Sequence, residues 1–327
     1  MNKRSISPVR IGVVGLGRFG RLHALTAAGL AESELVALVA RRRESLERVS
    51  LELPDVPGWT NLEDAIRESD AEAWIIACST SSHVAVAERL LAAGKTVLLE
   101  KPIADNQSEA ESLSAWVKHD SSNLMIGHIV LFNSEFQALR EEATRRGPLN
   151  YIDCVRHRPS SIVTQFPGEN PLHAAMVHDL YAVQALVQRA EPQTFNAHYH
   201  RTASGAIDLA LARLSWPSGI VASFAASYMT PPGMAPRGFD RMEVFGEGWA
   251  GRISPNPRPC ELWADAAQWP LALEIRAPAS GPTGMMAEEL RCFCRVVRGV
   301  EQVPIGATYH DALQVQRWME ALDASAT

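Results

Sequence analysis

No stretch of the chain approaches the roughly 18 consecutive apolar residues that span a bilayer, so the sequence predicts no membrane helix. The opening "MNKRSISPVRIGVVGLG" lacks the apolar region of a cleavable leader and runs straight into a strand-like segment, so a soluble, cytoplasmic protein is expected. Cysteine is sparse and badly spaced. There are 5, an odd number, and the closest pair, Cys292 and Cys294, has one residue between them, too few for the usual zinc or redox motif. All are expected to be reduced, mostly buried thiols, with no metal. Positive charge is not in excess either. With a formal net charge of -6, the chain gives no electrostatic reason to expect a nucleic-acid partner. Internal repeats, low-complexity stretches and a flexible linker are also missing, so any domains are expected to be joined by close packing.

The residues that are present describe a packed globular protein, 46% apolar and 21% charged. At 327 residues the chain exceeds what one core ordinarily supports, and two domains are expected. From Arg10 to about Met125, short apolar runs ("IGVVGLG", "LVALVA", "AWIIACS", "TVLLEK") alternate with helical stretches, the pattern of a doubly wound parallel sheet. The runs are nearly continuous, as strands buried on both faces require. After "NLMIGHIVLF" the rhythm changes to longer strands of period two with turn signals such as Pro217-Ser218-Gly219, which predicts an open mixed, largely antiparallel sheet in an α+β domain. Helices are expected at Ser134 to Arg146, Ala174 to Gln188, Met285 to Arg298 and His310 to Ala324. The boundary is placed near Gly127, giving a dinucleotide-binding domain over 1–127 and a substrate-binding and oligomerisation domain over 128–327.

"GVVGLGRFG" holds Gly15, Gly17 and Gly20 in the spacing G-x-G-x-x-G, after an apolar strand and at the start of a helix. Those glycines serve a tight turn, close approach of a pyrophosphate and helix-on-strand packing, and the helix N-terminus supplies unpaired N–H groups for the phosphates. An NAD site ordinarily carries an acid at the end of the second strand. Here that position is Ala40, followed by Arg41, Arg42 and Arg43, so repulsion of a 2′-phosphate is absent and guanidinium groups are at hand. NADP is the expected cofactor, with NAD as the alternative; the competing reading of the arginines is an ordinary solvated helix start.

Function in such a sheet collects at the carboxyl ends of the strands. "KTVLLEKPIAD" places Glu100, Lys101 and Pro102 at one such end, where partial burial can bring a lysine into a range useful for acid–base work. At this point the sequence resembles the glucose-fructose oxidoreductase, inositol dehydrogenase and rhizopine-catabolism (Gfo/Idh/MocA) family. The matching stretches are "VVGLGRFGRLHA", "HVAVAERLLAAGKTVLLEKPIA", "GHIVLFNSEFQALR", "MVHDLYAVQAL" and "MMAEELRCFCRVVRG". The resemblance implies a Rossmann domain followed by an open-faced mixed sheet, and hydride transfer between nicotinamide and a carbon of a sugar-like or cyclitol substrate, a polyol or ketosugar. It implies acid–base roles for Lys101 and His178, and cofactor contacts from Gly15, Gly17, Arg18, Phe19, Gly20, Arg41, Arg42, Ser79, Thr80, His83, Glu100 and Lys101.

The second histidine lies in "LHAAMVHDL". On an α-helix, residues five apart diverge, so His173 and His178 are expected to point apart, against a two-histidine metal site. Asp179, adjacent to His178, is expected to be structural, bonding to loop backbone. The family's D-x-x-x-H segment carries an aspartate where this chain has Ala174. That loss leaves a non-catalytic nucleotide-binding sensor, or reduction of a C=N or C=C bond, as alternatives to alcohol–ketone interconversion. Arg156 and Arg158, on one face of a strand, are weighed as readers of an acidic substrate, and Trp263 and Trp269 as stacking groups or interface residues. His128 is left between a core and an interdomain role. A broad sheet face in the second half calls for a partner subunit, a homodimer or homotetramer.

Overall fold

The computed structural model describes residues 7–234, 238–270, 274–278 and 280–327; the leader-free start expected at 1–6 lies outside them. The chain divides into two compact units, one of residues 1–129 and 275–313, the other of 130–274 and 314–327.

The first unit is built on β1 (Val9–Val14), β2 (Ser33–Val39), β3 (Gly58–Trp59), β4 (Ala73–Ile76), β5 (Thr96–Glu100) and β6 (Leu124–Gly127). All pair in parallel in the order β3-β2-β1-β4-β5-β6. Every residue of β4 and β6 is buried, as is all of β5 except Thr96 at its start, so their unbroken apolar runs are explained by helices on both faces. The connections are α1 (Arg18–Gly29), α2 (Arg43–Ser50), α3 (Leu62–Glu68), α4 (His83–Ala92) and α5 (Gln107–Ser112). Asparagines start two of them: Asn61 accepts from the Glu63 and Asp64 amides, and Asn106 from that of Glu109. Strand order reverses between β1 and β4, which makes the carboxyl ends of these two strands the crevice of the sheet.

The second unit begins with α6 (Ser134–Arg146), whose cap Asn133 accepts from the Phe136 amide at 3.0 Å. There follow β7 (Leu149–Pro159), the short α7 (Ile162–Gln165), a π-helical turn at Leu172–Met176 and α8 (Val177–Leu186). Next come β8 (Thr194–Arg201), β9 (Ile207–Ser215), β10 (Val221–Thr230), β11 (Phe239–Gly246) and β12 (Trp249–Asn256). Their sheet runs β12-β11-β7-β10-β9-β8, with β7 and β10 parallel and the other neighbours antiparallel. Period-two alternation gives it two unlike faces. Ile152, Cys154, Ala222, Phe224, Ala226, Met242 and Val244 are buried on one, where the π turn packs. Tyr151, Leu211 and Phe245 are exposed on the other.

The helix expected over Ala174 to Gln188 is thus a π turn joined to a shorter α-helix. It stops early because Gln188 (φ 50°) and Arg189 (φ 67°) turn left-handed.

Residues 275–313 rejoin the first unit, which a single boundary near Gly127 does not provide for. There α9 (Met285–Val297) lies against α1 and buries Met286, Leu290 and Phe293 along one stripe. Just past its end, Arg298 pairs with Glu72 at 2.7 Å and donates to the Pro8 carbonyl at 2.7 Å. α10 (Tyr309–Ser325) closes the chain.

Candidate functional site

In the first unit the glycine loop joins β1 to α1. Gly15 has φ 91°, a conformation that other residues rarely adopt, and its amide donates to the Val39 carbonyl at 2.9 Å. A Cβ on Gly20 would lie 1.8 Å from the Gly15 carbonyl oxygen, so α1 can start this close to the strand only with glycine there. A Cβ on Gly17 would meet nothing within 4 Å: that position opens onto free space at the α1 N-terminus, where Gly17 is the cap and no side chain takes up the first amides. The loop therefore fits a pyrophosphate held by backbone N–H groups. Arg18 and Phe19 are the first two residues of α1.

At the end of β2, Ala40 is buried, and Arg41, Arg42 and Arg43 are exposed. Arg43 opens α2 and pairs with Glu47 at 3.3 Å. Arg41 is close enough to Cys78, beyond the end of β4, to favour the charged thiolate, although burial dominates and raises the thiol's pKa. The Cys78 backbone lies 2.5 Å from where a Gly15 Cβ would stand, so Arg41 acts on a residue beside the glycine loop.

Ser79 caps a single 3-10 turn that begins at Thr80 and leads into α4. His83 starts α4, is 2% exposed, and spans two carbonyls: Nδ1 lies 2.8 Å from Pro102 O and Nε2 3.2 Å from Cys78 O. Burial lowers its pKa, and a neutral ring has one N–H to donate, so the shorter Nδ1 contact to Pro102 O is the bond that ties α4 to the β5 exit.

Glu100 ends β5, and the Lys101 amide donates to Gly127 O at 3.3 Å. Lys101 is partly buried at the strand exit. The Glu100 carboxylate is met by His23 of α1, Nε2 to Oε1 2.7 Å, and Glu289 of α9 completes a buried trio whose ligand-type atoms all lie within 4.8 Å of one another. His128 is buried beside it, and its backbone N–H points toward Glu289. The sequence reading missed His23 and Glu289. A usable signal existed: both are polar residues at positions that the helical period assigns to the apolar stripe.

In the second unit, the geometry around His178 differs from expectation in two ways. The Val177 amide donates to Leu172 O, an i to i+5 bond, so α-helical spacing does not apply between His173 and His178; a five-residue repeat turns such a pair toward one face rather than apart. His178 is partly exposed at the first turn of α8. His173 pairs instead with Asp323 of α10, Nε2 to Oδ2 2.5 Å, and Tyr199 of β8 donates to the other oxygen of that carboxylate.

Asp179 is structural, but its partner is a side chain and not loop backbone. Both its oxygens accept from Arg156, at 3.1 and 2.7 Å, and Arg156 also donates to Asp240 at 2.7 Å. Burial alone would lower the Arg156 pKa, but the two carboxylates outweigh it and raise it. Arg158 shares Asp240. Two guanidinium groups thus face two carboxylates, and the network carries no spare positive charge with which to read an acidic substrate. His157, on the opposite face, meets Ser227 at 2.6 Å. Trp263 is 78% exposed, while Trp269 is partly covered.

All five cysteines are free; Cys154, Cys292 and Cys294 are buried, Cys78 is intermediate and Cys260 exposed. Among the described residues no helix is long and apolar enough to cross a membrane.

Comparison with known proteins agrees with this geometry. The model of an oxidoreductase family with an NAD-binding Rossmann fold, Gfo/Idh/MocA, matches residues 9–128. The chain is 30% identical over 222 residues to UDP-N-acetylglucosamine 3-dehydrogenase of Acidithiobacillus ferrooxidans, covering 67% of each protein. It is 29% identical over 182 residues to inositol 2-dehydrogenase of Agrobacterium fabrum, covering 55% of this chain and 54% of that one. Its fold is similar to that of scyllo-inositol dehydrogenase of Lactobacillus casei, solved with NAD(H) and scyllo-inositol, with a TM-score of 0.81, 19% identity, and 98% and 97% of the two chains covered. Sequence, sheet order and glycine loop converge on one conclusion: the chain belongs to the Gfo/Idh/MocA oxidoreductase family.

Proposed function

We propose that this protein is an NADP-preferring oxidoreductase that interconverts a secondary alcohol and a ketone on a sugar-like or cyclitol substrate. The observation that carries the reading is the placement of Lys101 at the β5 exit of the sheet whose β1 exit forms the glycine loop. When bound, the nicotinamide supplies the acceptor or donor of hydride. The protein's own part is proton transfer and placement. In oxidation the neutral Lys101 amine takes the hydroxyl proton; in reduction its ammonium returns it to the ketone oxygen. His178 assists or positions the substrate oxygen. Gly15, Gly17, Arg18, Phe19 and Gly20 hold the pyrophosphate, Arg41 with Arg42 reads a 2′-phosphate, and Ser79, Thr80 and Glu100 border the cofactor. His83, whose ring nitrogens both face carbonyls, acts on it by fixing the β5 exit. The named activities of the relatives, on inositols and on a UDP-linked sugar, support a polyhydroxylated ring as substrate. The second unit is proposed as the substrate-binding and oligomerising part, and the cytoplasm as the compartment, where free thiols stay reduced.

The test is turnover of inositols, free sugars and UDP-sugars with NADP+ and NAD+, for the wild type, Lys101→Ala and His178→Ala. Lys101→Ala is expected to lower kcat/KM by about 10²- to 10⁴-fold. Unchanged rates in both variants would remove the proposed acid–base pair. A second reading, a nucleotide-binding sensor without turnover, is favoured by one observation: Ala174 stands where the family pattern has a carboxylate, and Asp179 is fully engaged by Arg156. Cofactor binding without reaction on any member of the panel would select it.

A further inference from the structure

The proposed proton transfer makes no use of His23 or Glu289, and burying two carboxylates beside a histidine needs a reason. His23 and Glu289 are 0% exposed and Glu100 7%. Two carboxylates this close and this dry cannot both be charged, because desolvation and mutual repulsion each favour a proton on one of them. Burial first, and then the charge of Glu100, push Glu289 well above the usual carboxylate range; the His128 backbone N–H opposes the shift only in part. His23 Nε2 is spent on Glu100, and its Nδ1 is buried without a hydrogen-bond partner. The three residues come from α1, β5 and α9, three elements of one unit.

We propose that His23 and Glu289 are positioning residues that close a buried clamp around Glu100, and that the clamp fixes Lys101. The inference rests on the reading of Lys101 as the proton-transfer group. Its geometric basis is that the Glu100–Lys101 peptide is anchored on both sides. The Glu100 side chain is tied to His23 and lies against Gly127, where a Cβ would stand 3.2 Å from Oε1, and the Lys101 amide is tied to Gly127 O. Successive strand residues point to opposite faces, so a carboxylate pinned on one side sets the direction in which Lys101 leaves on the other. The clamp also sets the Glu100 carboxyl group one residue from the lysine, where removing a carboxylate would remove a neighbour that favours an ammonium. Because α1 carries the glycine loop, the same clamp holds that loop in register with Lys101.

Two measurements that need no substrate test this. Infrared difference spectra between wild type and Glu289→Gln are expected to contain the carbonyl stretch of a buried, protonated carboxylic acid in the wild type only. Competitive acetylation with acetic anhydride across pH, read by mass spectrometry, follows Lys101 among the chain's four lysines, with Lys95 and Lys118 as internal controls. Glu100→Gln is expected to move the half-labelling pH of Lys101 down by about one unit. Glu289→Ala, which opens a hole beneath Glu100, is expected to change Lys101 labelling severalfold, and Glu289→Gln to restore it to within about twofold, since the amide mimics the neutral acid. The infrared arm needs only the isosteric variant and stands even if Glu100→Gln fails to fold. The clamp is overturned by a wild-type spectrum without the acid band, by Glu289→Gln shifting Lys101 as far as Glu100→Gln, or by one equivalent of zinc or manganese bound to wild type and lost in Glu289→Gln. If Lys101→Ala turns over normally while the acid band is present, the catalytic reading fails and the buried proton does not.

Discussion

At the scale of single residues, Arg41 and Asp179 carry the sharpest expectations. If Arg41 reads a 2′-phosphate, Arg41→Ala removes a charge-assisted bond, and KM for NADPH is expected to rise about tenfold or more while KM for NADH stays within about twofold. Equal losses for both cofactors would assign the arginine to general electrostatics. Asp179→Ala strips both hydrogen-bonded oxygens from a buried guanidinium that Asp240 alone must then neutralise. A loss of about 3–5 kcal/mol of stability is expected in urea titration, because an uncompensated buried charge costs more than the pair contributes. The residues with direct sequence signals, Gly15, Gly17, Gly20 and Lys101, were legible because each sits in a motif with its own steric or chemical reason. Arg156 was legible as a strand residue only. Its partners lie 23 and 84 positions away, and no local pattern announces such a pairing.

Elements were read well where the helical period was strong. The expected helix at Ser134 to Arg146 has those bounds, and Met285 to Arg298 differs from the observed α9 by its last residue. The π turn at Leu172–Met176 was not legible, because its single extra residue leaves the apolar spacing almost unchanged while altering which histidine faces where. α9 also supplies a pH prediction. The hydrogen bonds from Arg298 at its end, reinforced by the Arg10 amide and only partly opposed by burial, hold Glu72 down from 4.5 to about 2. A carboxylate depressed in the fold stabilises it above its unfolded pKa and loses that contribution as pH falls through the folded value. Wild type should therefore melt above Glu72→Gln near neutral pH, and the gap should close between about pH 4.5 and about pH 2. A gap independent of pH would mean that the pairing acts through packing instead.

For the whole molecule, the class of both sheets followed from the switch between continuous apolar runs and period-two alternation. The path of the chain did not follow, since α9 looks in sequence like any amphipathic helix and nothing local says which sheet it covers. The open face of the second sheet is where a homo-oligomer is proposed to form. Tyr151 and Phe245 stack there with ring centroids 5.7 Å apart, beside a ladder in which Tyr151, Ser223 and Arg241 converge on Asp153. A second copy would cover both features. Sedimentation is expected to give a dimer or tetramer, and Leu211→Glu, placed on the same face, to shift it toward monomer; a stable wild-type monomer would refute the assembly.

The return of residues 275–313 to the first unit has a consequence for synthesis. A ribosome must finish the whole intervening sheet before it makes the helix that the nucleotide-binding half is waiting for. Until Met286, Leu290 and Phe293 emerge, α1 has its sheet to lie on but not α9, and Glu289 is not there to join His23 and Glu100. The early half is therefore a client in need of shelter during translation, and a gene fragment ending at Ile129 should yield aggregate that co-expression of the 275–327 piece partly rescues.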